Sequence, residues 1–438
     1  MRLLAKLPWA LLSLSVASLE FAKQPLDLSG QWQHQFGAPD RDGSPCTTNH
    51  ISAFEQAQGP VGLSTSTDKH PETPKLSAIN STAWEQWEFD GVAASGKGSI
   101  MMGFVRDPSF PFFRQGNLRI EFYITLEDGT QVQKMEFAEH STIIDCPSSV
   151  RGIWNTSDSF HAFRVSKDMR SASVWWETRR DKGAFALESH TPPVLANGAV
   201  WPPGEGRHAQ GASGVQVSPR FYFNQPISGG KMTAHVQIGK KSMHMTGYGA
   251  HCRLWAEDGW FKLCRGWQLV RGYLGPYTIS YFQCLSRVDD WVAYFTAQLF
   301  KGGELLVGTQ AGPADGDADH VIFRPDLGGN VTGRLADKST GRVLEFVSPA
   351  RGKTWRFRNR HESKMFEMGF GGGKGATAFV DNVGGGEVGT NEHYAGRGIT
   401  EQVLLPEEVK VWQMWVLYGI SVVGGWKQRL ESFVSSIL

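Results

Sequence analysis

The feature that most restricts this chain is a succession of short runs in which apolar and polar residues alternate with period two. WEQWEFDGVAA, SIMMGFVRD, LRIEFYITL and QVQKMEFAE follow one another through residues 84–139, broken by Gly, Asp and Asn turns. FHAFRVS and ASVWWETRR continue the pattern, and it resumes in FYFNQ, KMTAHVQIG, WVAYFTAQLF, KTWRFRNR and GITEQVLLP. Successive side chains of a strand point to opposite faces, so these runs read as strands. Their regular spacing favours sandwiches or barrels over βαβ units. Heptads and long amphipathic helical runs are missing. The expected class is all-β, with two packed β-sandwich or β-barrel domains.

A chain of 438 residues is long enough for two domains with generous cores. The net charge of +1 gives no basic surface for nucleic acid. MRLLAK, an apolar run and small residues near Ala17 and Ala22 describe a signal peptide over residues 1–22, with an N-terminal anchor or a buried strand as alternatives. Three Asn-x-Ser/Thr triplets, at Asn80, Asn155 and Asn330, fit glycosylation in a secretory compartment, either the ER lumen or outside the cell. Cys46 and Cys146 are candidates to pair, whereas Cys252, Cys264 and Cys284 read as buried thiols. Residues 23–258 form the expected N-terminal β-domain and 259–406 the second. Residues 407–438 read as a terminal helix docked on the fold, or else as a membrane-surface helix. Oligomeric state is not legible.

The segment from Phe221 to Phe282 carries twelve aromatic residues in sixty-two positions and only two acids, Glu257 and Asp258. That composition suits a large apolar cavity with few polar groups. GFGGGKGAT (369–377) departs from the phosphate-loop pattern and reads as a glycine-rich hairpin. No GxSxG or HExxH occurs. His244, His251, Cys252 and Cys264 match no standard zinc spacing, so no metal and no other cofactor is expected. In the run from Trp84, alternation puts Glu85, Trp87 and Phe89 on one face and Gln86, Glu88 and Asp90 on the other. Glu85 and Glu88 are thus a poor acid/base pair with each other.

WEQWEFD followed by GFVRDPSF, then FYFNQP, GYGAH-x3-W, CRGW…GPYTISYF and a closing AGRGITEQVLLP resemble the fungal lipocalin-like Diels–Alderases, distant relatives of carotenoid hydratase and AttH-type proteins. The resemblance runs from about Trp84 to Pro406. It implies two packed β-domains, the second a lipocalin-like barrel, with a pocket between them. It also implies a cofactor-free intramolecular [4+2] cycloaddition on a polyene joined to a tetramic acid or pyrrolinone, giving decalin or cytochalasan-type products. Where the related hydratases are expected to carry an Asp, this chain has His251-Cys252-Arg253, which counts against water addition. Motif position and strand parity nominate Trp87, Tyr222, Trp267, Tyr277 and Trp355 for shaping the substrate. They nominate Glu85, Asn224, His251 and Lys364 for polarising or anchoring its carbonyl head. A hydratase or isomerase on an apolar chain, or a lipocalin-type carrier, are the competing readings.

Overall fold

The computed structural model describes residues 40, 43–109, 116–203 and 214–407. The expected signal peptide and the terminal helix beyond residue 407 lie outside the described residues.

The chain forms two antiparallel sheets joined by a four-residue helix. The first sheet begins with β1 (Thr47–Ser52), β2 (Trp84–Ala93), β3 (Ser99–Arg106), β4 (Leu118–Thr125) and β5 (Gln131–Phe137). Next come β6 (His140–Asp145), β7 (Ser149–Asn155), β8 (Phe160–Ser166), β9 (Ser171–Glu177) and β10 (Asp181–Ser189). It is completed by β11 (Val194–Leu195), β12 (Gln216–Ser218), β13 (Phe221–Ile238) and β14 (Lys241–Ala256). Helix α1 (Trp260–Leu263) leads to the second sheet. That sheet takes β15 (Cys264–Leu274), β16 (Tyr277–Ser286), β17 (Ala293–Lys301), β18 (Glu304–Thr309) and β19 (His320–Asp326). Its last strands are β20 (Gly341–Ser348), β21 (Lys353–Gly371), β22 (Lys374–Glu387) and β23 (Tyr394–Leu404).

In space the first sheet runs β1-β6-β7-β8-β9-β10-β13-β14-β2-β3-β4-β5, with β11 and β12 paired to β13. Its two halves face each other. Trp87 on β2 meets Trp154 on β7 at 5.6 Å between ring centroids, and Phe122 on β4 meets Trp176 on β9 at 5.9 Å. Strands so far apart in the order touch only because the sheet curls, as right-handed twist favours. The second sheet runs β18-β17-β16-β15-β23-β22-β21-β20-β19. It curls too, since Tyr281 on β16 stacks at 4.6 Å on Phe323 of β19. The fold is all-β, with a barrel-like second unit, as the alternation and the resemblance imply.

Several strands are covered on both sides, and β3 has all eight residues buried. One side of β2, β3 and β14 supplies the core of the first unit; the other packs on β15, β16, β21, β22 and β23. This second contact is a continuous apolar seam that includes Trp84, Phe223, Leu254, Leu269, Phe282 and Ile399. Two further ties hold the assembly. Cys46 and Cys146 form a disulfide closing a sequence separation of 100 residues. Gly96, at φ +75° in the β2–β3 turn, lies against the guanidinium of Arg397 on β23, where a Cβ would come within 2.5 Å. Arg397 donates to the carbonyls of Ala94 and Ser95 in that turn.

Candidate functional site

Strand β2 is the hinge of the site, because its two faces enter different environments. Glu85, Trp87 and Phe89 turn into the first unit. Glu85 takes ion pairs from Arg106 at 3.1 Å and Arg253 at 3.2 Å, and its Oε2 accepts the Lys75 backbone N–H at 2.7 Å. The Arg253 guanidinium lies 3.8 Å from the Trp87 ring centroid. His251 donates from Nδ1 to the Glu88 carbonyl at 2.8 Å, sets Nε2 2.9 Å from Glu72 and stacks on Phe89. Burial pushes the Glu72 carboxyl up, but His251 and then Arg253 outweigh that and hold it below the usual carboxylate range. Burial, reinforced by Arg253 and opposed by Glu72 and Glu85, brings the Lys75 ammonium down to about 7.

The other face of β2 carries Gln86, Glu88 and Asp90 into the seam. Register aligns Cys252 of β14, Glu88, Gly103 of β3 and Glu121 of β4 in one row across the sheet. Gly103 leaves a gap between the two glutamates, and a Cβ there would meet nothing closer than 3.5 Å. Opposite stand β15, β23 and β22 of the second sheet.

 Glu401 of β23 pairs in register with Leu269 on one side and with Ala378 on the other. Gln86, Glu88 and Glu121 from the first sheet, and Trp267, Met368 and Phe370 from the second, keep partial accessibility in the seam. These partly accessible side chains mark the least tightly packed part of the seam between the two units.

This part of the seam has aromatic walls and an acidic middle. Tyr123 stacks on Phe366 at 4.0 Å, Tyr248 on Tyr273 at 5.5 Å, and Trp267 lies 4.7 Å from Trp260. Two guanidiniums serve the acids and both are committed. Arg271 pairs with Asp90, while Arg119 pairs with Asp107 at 3.0 Å and Glu121 at 2.6 Å. Gln86 donates to Glu88 at 3.0 Å, and the Trp267 indole N–H donates to Glu401 Oε2 at 3.2 Å. Burial pushes the Glu88 carboxyl above its ordinary range against the pull of Arg271, with Glu121 adding to the rise. Burial and then Glu88 bring Glu401 up to about 8, opposed by the Trp267 hydrogen bond. A carboxyl neutral near pH 7 can donate a hydrogen bond.

The residues nominated from sequence are dispersed by the fold. Glu85, Trp87 and His251 lie inside the first unit. Asn224 pairs in register with Arg253 and Leu195, and its buried Oδ1 has no hydrogen-bond partner among the described residues. Tyr222 stacks on Trp255 in a small satellite cluster. Tyr277 and Trp355 belong to the core of the second sheet. Trp267 lines the seam, and Lys364 is half-buried, pairing with Glu367 at 3.0 Å. Asn80 uses its side chain to donate to the Gly59 carbonyl, Asn155 ends β7 and Asn330 is exposed in a loop. Sequence reasoning did not single out Glu401; it discounted Glu88 only as a partner of Glu85 and left either able to act with a group from elsewhere. Cys252 counts less against hydration than its sequence context implies, since Glu88 beside it supplies a carboxyl to the same face.

A family model described as Diels-Alderase-like matches residues 43–406. Diels-Alderase mycB of Thermothelomyces thermophilus is 58% identical over 429 residues, covering 98% of this chain and 97% of that protein. Hexane cyclase pydB of an Acremonium species is 38% identical over 395 residues, 90% of each chain. Among solved structures, CghA with Sch210972 superposes with a TM-score of 0.70 at 24% identity, covering 83% of this chain and all of CghA, a likeness of fold.

Proposed function

The chain belongs to the Diels-Alderase-like family, and from that premise we propose that its seam holds a polyene joined to an amino-acid-derived head for intramolecular [4+2] cycloaddition. The observation that carries this reading is the seam between the two sheets, with aromatic walls and an acidic centre. Ring closure moves no proton and needs no nucleophile; it needs diene and dienophile held in near-attack contact. Such positioning is worth up to about 7–11 kcal/mol in the best intramolecular cases. A hydrogen bond to the carbonyl conjugated with the dienophile draws electron density from it and lowers the barrier further. The secretory location is supported by the Cys46–Cys146 disulfide, since such bonds persist in oxidising compartments.

The test is to incubate the purified chain with a linear polyenoyl pyrrolinone or tetramic acid and follow rate and stereochemistry. Faster closure to one stereoisomer is expected. A rate and isomer ratio equal to those in buffer sinks the reading, and oxygen from labelled water in the product would point to hydration instead.

A further inference from the structure

The seam contains more acid than its cations can balance, and this imbalance has a chemical use. From β2 it receives Glu88 and Asp90, from β4 Arg119, Glu121 and Tyr123, and from β14 Cys252. Strand β15 adds Arg271 and Tyr273, β21 carries the Lys364–Glu367 pair, and β22 presents Ala376, Ala378 and Val380. With Arg271 held by Asp90 and Arg119 by Asp107 and Glu121, Glu88 and Glu401 have no ion-pair partner among the described residues. Two carboxylates in one buried site cannot both ionise cheaply, so the pair retains a proton. With the proton on Glu401, Trp267 sets which oxygen bears it. Its indole N–H can only donate, so Oε2 of Glu401 serves as the acceptor and the acid hydrogen belongs on the other oxygen. Further along β15, the Tyr273 hydroxyl is buried without a hydrogen-bond partner among the described residues, a polar atom left for something the seam admits.

We propose that Glu401 acts as a carboxylic acid that hydrogen-bonds the carbonyl activating the dienophile, with Glu88 opposite holding the proton on it and Trp267 fixing its orientation. The proposal rests on the ring-closure reading. The proton stays on Glu401 throughout: the new σ bonds form from the π electrons of the substrate, and the acid only deepens the polarisation of the carbonyl as they form. Glu401 is the catalytic residue; Glu88 and Trp267 are positioning residues.

The experiment is a pH–rate profile of the full-length chain from about pH 6 to about pH 10, with the linear polyenoyl pyrrolinone as probe. Wild type should lose rate as pH rises through the titration of Glu401, because the deprotonated form cannot donate. Glu401→Gln keeps a neutral N–H donor; it should retain the rate within about tenfold and lose the alkaline fall. Glu401→Leu should drop kcat on the order of a hundredfold. Glu88→Gln removes the like charge and should move the fall to lower pH, a readout that does not depend on how Glu401→Leu folds. A wild type that turns over with a flat profile, or Gln and Leu variants of equal rate, overturns this proposal alone. A wild type no faster than buffer overturns the ring-closure reading and this proposal with it.

Discussion

The two faces of β2 carry glutamates three residues apart with opposite fates. Glu85 faces inward, fully buried, and meets two arginines. Glu88 faces the seam, keeps some accessible surface and is answered by Glu401, another acid. The inward face is closed: its charges are matched, so its work is to hold β2, β3 and β14 in place. The seam face is unbalanced, and unbalanced buried charge is costly unless it serves a ligand. On the proposal above, what separates the two carboxylates is what stands opposite each, not how deeply it is buried.

The comparison can be broken at its strongest point first. Glu85→Ala leaves Arg106 and Arg253 without their carboxylate and should cost about 3–5 kcal/mol in chemical denaturation. Glu88→Gln should cost far less, or stabilise the fold above neutral pH. The pH dependence follows with its sign. Glu401 binds its proton more tightly folded than unfolded, so its contribution is complete below the unfolded carboxylate range and is lost as pH rises towards about 8. Denaturation at about pH 6 and about pH 9 should show wild type losing about 2 kcal/mol that Glu401→Gln does not lose. Gly103→Leu fills the gap between Glu88 and Glu121 and should slow ring closure by about tenfold, close to 1.4 kcal/mol of barrier, with little change in melting temperature. Lys364→Met removes a partly exposed ion pair and should change stability by less than about 1 kcal/mol. A large loss of rate in that last variant would shift the polar centre of the site towards β21.

Much of the fold was legible because alternation is a local signal. The parity of β2 follows from WEQWEFD alone, and the pairing of Cys46 with Cys146 was among the candidates it left open. Which parity faces the seam was not legible. When a strand is buried on both sides, aromatic and acidic residues occur on both faces, and sequence gives no sign of which sheet each will meet. The aromatic segment divides in the same way. Phe221, Phe223, Tyr273 and Phe282 enter the seam, whereas Tyr222 and Trp255 turn away and Tyr277 and Tyr281 fill the second sheet. Glu401 lies in GITEQVLLP, where nothing local separates it from any strand glutamate. Its meaning comes from Glu88, which is remote in sequence and belongs to the other sheet.

Asp90 and Arg271 also fix how a substrate gets in. Their pair ties β2 to β15 with both side chains wholly out of solvent. Spreading the two sheets would strand two bare charges, so the molecule has no inexpensive way to open like a book. On the ring-closure proposal, a flexible polyene would therefore have to enter along the rim of the seam and not by a parting of the two sheets.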